Sequence, residues 1–153
     1  MKNLFILFFL LPLFTTAQYK IDKNKIITGS LIAVSGAATG FNETLMHHYY
    51  KFKAKFPNAN DKWFNPEESW VNKYKDGNCE EGDKFPLSSS LLSFTTDQYH
   101  LNAMIRDVSL IAAVTFKLGN GGKKQKFIYY VYDLLYYSAC YSLGFYLTYG
   151  SFH

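Results

Sequence analysis

A chain of 153 residues has room for one domain, and no internal repeat argues for a second. Hydrophobic residues make up 48% and aromatic residues 19%, with 13 Tyr and 14 Phe, against a formal charge of only +4. The lysines are spread over three loops instead of lining one face, which sets nucleic acid aside as a partner, and the aromatic load suits long contact with a membrane interface.

The first element is MKNLFILFFLLPLFTTA, residues 1–17: a short basic start, a compact apolar core and small residues ahead of Gln18. This is the pattern of a signal peptide or, uncleaved, of a signal anchor, and either sends the chain to or across a bacterial membrane. Residues 18–153 then read as a single helical domain. After the basic tail KIDKNK, Ile26 to Met46 is a 21-residue run that as a helix would cover about 30 Å, the thickness of a bilayer core. Gly29, Ala33, Gly36, Ala37 and Gly40 recur along it at spacings of three and four. Such a stripe lets two backbones approach closely, so Gly36 and Gly40 are candidate contacts with a second copy or another membrane protein.

Residues 49–87 form a polar insert whose turn formers, Pro57-Asn58, Asn60-Asp61, Asn65-Pro66 and Asp76-Gly77, predict an irregular loop with short helical turns. Trp63, Phe64, Trp70 and Tyr74 interleave with lysines there, as in a segment folded over lipid headgroups. Ser88 to Gly119 reads as one long helix opened by capping serines, polar in its first half and apolar from Val108 to Phe116. A basic turn, GNGGKKQK, leads into Phe127 to Phe152, a run whose one formal charge is Asp133. Together these elements predict an all-α fold: a small transmembrane helical bundle of about three spans with an aromatic-rich loop, set in the bacterial membrane, by expectation the inner one. Seven lysines fall on either side of that bundle, so charge leaves its topology open. Cys79 and Cys140 lie in a polar loop and an apolar run, and both read as free thiols.

Three stretches, SGAATGFNETLMHHY, NPEESWVNKYK and TDQYHL, carry a resemblance to small bacterial integral membrane proteins of no known activity. That resemblance brings no catalytic residues; the expected spans make membrane lipid a partner.

The residues that could carry chemistry sit near one end of the expected bundle. Glu43 and His47, four apart, share a helix face, whereas His48 points about 100° away. Asp97 and His100, three apart, share a face of the next, antiparallel helix. Carboxylate and imidazole pairs on facing helices are the ligand types of bundle metal sites and would suit zinc, iron or manganese. The alternative is that nothing binds and these groups pair locally. Asp97 with His100 could also serve as an acid/base pair without a metal. In the last helix Asp133 is a pairing or functional candidate because a charge at that depth needs a partner, and Arg106 is placed to meet Asp107, Tyr137 or Tyr141. Two functions follow: a small integral membrane protein with a structural or interaction role in the envelope, or a metal-dependent membrane hydrolase acting on lipid or headgroup-linked bonds. A secreted soluble helical domain is a third reading, kept by the polarity of the middle helix.

Overall fold

The computed structural model describes residues 19–120 and 124–153, so the expected signal segment 1–17 lies outside the described residues. Three long helices make the frame: α1 (Lys23–His47), α5 (Gln98–Gly119) and α6 (Phe127–Tyr149). Between the first two, the insert folds into α2 (Tyr49–Lys55), α3 (Asp61–Phe64), α4 (Pro66–Ser69) and a series of 3₁₀ turns. The all-α expectation holds, and an isolated bridge between Tyr74 and Asp83 is the extended pairing among the described residues.

Helix α1 is the centre of the bundle. Its glycine stripe packs on α6, which runs parallel to it: a Cβ added at Gly36 would fall on the Tyr141 carbonyl, and one at Gly144 on the Ala33 carbonyl. Thr148 Oγ1 donates to the Ala37 carbonyl across the same seam at 2.8 Å. Only glycine permits so close a backbone approach. The stripe expected to recruit a second protein is therefore covered by this chain's own last helix. Helix α5 runs antiparallel to α1 on its other side. It begins at Gln98, ten residues later than the serines suggested, because Asp97 is the N-cap, its side chain accepting from the His100 amide at 2.8 Å. Ser88 is instead buried in the insert, donating to the Lys73 carbonyl.

The transmembrane expectation is overturned. Among the described residues no helix is long and apolar enough to cross a membrane. Length is not the shortfall, since α1, α5 and α6 have 25, 22 and 23 residues. Polarity is: α6 alone holds eight tyrosines and Asp133, α1 is broken up by Thr28, Ser30, Ser35, Thr39, Asn42 and Glu43, and α5 by Gln98, His100, Asn102, Arg106 and Asp107. These polar groups are unevenly placed. Lys25, Thr28, Ser35, Asn42, Thr44, Asn102, Ser109 and Asp133 are buried between the helices, while Val108, Ile111, Val114, Leu134, Leu143 and Leu147 are exposed.

Candidate functional site

The four residues expected to converge on a metal do not. Glu43 and His47 face each other at 3.6 Å on an open surface, with side chains 47% and 63% exposed. Asp97 and His100 pair with one another at 2.7 Å, on a different element. Among the described residues no group of three or more His, Cys, Asp or Glu side chains could hold a metal ion, which removes the expected zinc, iron or manganese centre. The reason is a single step of helical rotation. Asn42, one residue before Glu43 and so about 100° around the helix, takes the position that faces α5. It donates to the Tyr99 carbonyl at 3.0 Å and accepts from Asn102 at 2.9 Å; Asn102 in turn accepts from Gln98, and Gln98 from the Trp63 indole. A relay of amides, each donor meeting an acceptor, fills the interface where the ligands were expected.

Asp97 has two tasks. One oxygen caps α5, and the other accepts from His100 Nδ1, fixing the ring with its proton on that nitrogen. The ring of His100 lines a cavity of about 350 Å³ with Leu45, Met46, Tyr49 and Trp70. An imidazole so oriented can exchange a proton, the chemistry expected of this pair. His48 ends α1, its Nε2 3.0 Å from the Tyr149 hydroxyl and its ring 4.4 Å from that of His153. Its pKa is lowered by desolvation first and by His153 second. Arg106 pairs with its neighbour Asp107 at 2.8 Å on the surface, one of the three partners expected of it.

At this end of the bundle lies an aromatic concavity. A cavity of about 800 Å³ opens between the C-terminal turns of α1 and α6 and the first part of the insert. Its walls include Phe41, Phe52, Phe56, Phe64, Leu147 and Phe152. Phe52 is the hub, with the rings of Phe41, Phe56, Phe64 and Phe152 all 5.2 to 5.9 Å away. Aromatic pairs at such spacing hold one another in place. Lys55 stands on the rim, its ammonium donating to the Ser151 carbonyl and lying 5.3 Å from the Phe152 ring. The aromatic count was visible in the sequence, but their convergence was not, because they come from four separate elements. The spacing of Phe52 and Phe56, one turn apart on α2 and its end, was the available local signal.

The opposite end is built on charge. Asp133 is 8% exposed and accepts from three groups: Lys25 Nζ at 3.0 Å, Lys117 Nζ at 2.9 Å and the Tyr19 hydroxyl at 2.7 Å. Lys117 also reaches the Tyr137 hydroxyl, and the Lys25 ammonium lies 3.7 Å from the Tyr19 ring. Burial pushes the Asp133 carboxyl up, but the hydrogen bonds from Lys117, Tyr19 and Lys25 outweigh it and hold the group below the usual carboxylate range. Asp133 is thus paired, as a buried charge must be, although not within a membrane span. The sequence does not single out Lys25 and Lys117 as these partners, because they lie in basic stretches at the far ends of two different helices.

Comparison with protein-family models, with curated proteins and with solved structures finds no match to the chain.

Proposed function

We propose that this chain is an interaction protein of the bacterial envelope that holds the apolar part of an amphiphilic ligand, membrane lipid being the natural source, in the phenylalanine-lined cavity. The observation that carries the reading is the cavity itself. Its volume falls within the range of small-molecule sites, and its wall is mainly apolar with few polar groups, as such sites are. Five phenylalanines provide contact area, and Lys55 at the rim provides one cation for an anionic head. That combination holds a ligand; it offers no obvious route to transforming one. The apolar segment 1–17 supports an envelope location, and the acyl chains of lipids are the amphiphiles most abundant there.

Titration of the full chain with oleate, followed calorimetrically, tests the reading. About twenty non-hydrogen atoms at about −0.3 kcal/mol each give roughly −6 kcal/mol, a dissociation constant in the tens of micromolar. Leu147 is exposed on the cavity wall, so Leu147→Glu should fold normally and weaken binding by about tenfold or more through the charge placed beside the acyl chain. Lys55→Gln should weaken oleate but leave oleyl alcohol unchanged. Absence of oleate binding, or binding indifferent to Leu147→Glu, overturns the reading.

A further inference from the structure

The cavity of about 350 Å³ that His100 lines shares no lining residue with the phenylalanine-lined one. Four helices supply its walls: Leu45 ends α1, Tyr49 opens α2, Glu67 lies in α4 with Trp70 just after it, and Tyr99 and His100 stand in the first turn of α5. Its charge is one-sided. The chain has 16 Lys and Arg against 12 Asp and Glu, yet this lining contains one carboxylate, Glu67, and no lysine or arginine. Among the described residues Glu67 has no ion-pair partner. Behind the wall stands a second carboxylate, Asp97, 1% exposed and likewise without a lysine or arginine partner among the described residues.

His100 joins that buried charge to the cavity. Its Nδ1 is bonded to Asp97 at 2.7 Å, which occupies one ring nitrogen and leaves Nε2 without a hydrogen-bond partner among the described residues. In the neutral ring Nε2 is an acceptor, and a carboxylate on the opposite N–H strengthens it. The cavity therefore offers two acceptors, one of them anionic, and no charged donor. Its rings suit the same guest. The Tyr49 hydroxyl is held by Asp61 at 2.5 Å, and Tyr99 stands edge-on to His100, with centroids 5.6 Å apart and planes at 87°. With Trp70 they supply apolar area whose π surfaces attract a cation.

We propose that this cavity binds a small primary amine in its protonated form, the ammonium donating to His100 Nε2 and to the Glu67 carboxylate while the hydrocarbon part rests among Tyr49, Trp70 and Tyr99. An ammonium has three donors and a full positive charge, so one group meets both acceptors. A carboxylic acid of the same shape brings a second anion beside Glu67, and an alcohol leaves the carboxylate uncompensated. Asp97 acts through His100 and is a positioning residue. The inference stands independently of the phenylalanine-lined cavity.

Three probes with one ring system and different heads test it: tryptamine, its alcohol tryptophol, and indole-3-propionate. The full chain is titrated calorimetrically at pH 8, where imidazoles are mostly neutral and alkylamines charged. Tryptamine should bind saturably with a dissociation constant of about 1 mM or tighter, tryptophol about tenfold more weakly, and indole-3-propionate not measurably. Glu67→Gln, at an exposed position, should fold as the wild type does and lose about tenfold in affinity for tryptamine but not for tryptophol. His100→Gln should weaken tryptamine by a similar factor; where that variant does not fold, Glu67→Gln and the order of the probes decide. Leu147→Glu, which alters the other cavity, should bind tryptamine unchanged. The proposal is overturned by a wild type without saturable tryptamine binding, by an alcohol or acid that binds as well as the amine, or by a Glu67→Gln variant that binds tryptamine like the wild type.

Discussion

The two ends of this bundle solve the same problem, closing three helices, by opposite means. At one end Asp133 gathers Lys25, Lys117 and Tyr19 from around it, and the contacts are few, directional and charged. At the other, Phe52 gathers four rings whose contacts are many, weakly directional and apolar. A buried charge cluster is brittle: take out its shared anion and two cations are left uncompensated. An aromatic cluster degrades gradually, because a smaller side chain still fills part of the space. The charged end should fix how the helices align. The aromatic end can yield to a guest.

Asp133→Asn is the sharpest way to break that contrast. Leaving Lys25 and Lys117 around a neutral amide should destabilise the fold by about 3 kcal/mol or more in denaturant unfolding. A loss below about 1 kcal/mol would mean that water reaches the cluster freely. Next comes Gly36→Leu, on the seam between the ends: its side chain would meet the Tyr141 backbone, and overpacking there should remove about 2 kcal/mol and part α1 from α6. Unchanged unfolding would show that α6 can slide without penalty. Phe52→Leu should lower stability by only about 1 kcal/mol, since the smaller side chain still packs in the cluster.

The smallest effect concerns pH. The carboxyl of Asp133 titrates below its unfolded value, so its contribution to stability is present above the unfolded pKa, near 3.8, and is lost as pH falls through the lower folded value. Chemical denaturation across that acid window should show a decline in the wild type that is shallower in Asp133→Asn. Equal slopes would place the acid sensitivity in other carboxylates.

How far the sequence disclosed this arrangement differs between its parts. The three long helices, the turn-rich insert and the antiparallel return of α5 follow from apolar runs, caps and turn formers, which act locally. The start of α5 is not set locally, because Ser88, Ser89 and Ser90 look like caps as readily as Asp97 does, and the choice depends on the tertiary contact that buries Ser88. The metal cluster failed on helical phase: a rotation of one residue puts Asn42 inside and Glu43 outside, and no local preference sets that rotation. The membrane spans failed because absence of charge is not apolarity. Eight tyrosines in α6 leave it almost uncharged yet too polar to cross a bilayer. The pairing of Asp133 with Lys117 is within reach of the sequence, since the two flank the same basic turn 16 residues apart.

The parallel pairing of α1 with α6 has a consequence for how the chain acquires its structure. The bond from Thr148 to Ala37 joins residues 111 positions apart, so the glycine seam cannot close until the chain has been made as far as the end of α6. Helical bundles generally fold fast because their contacts are local; this one must first enclose a loop of that length, and the entropy of doing so falls on its principal helix contact. Until α6 arrives, the bare edge of α1 is open to the matching edge of another nascent chain, and exchange of the last helix between two copies is the characteristic error such a topology invites.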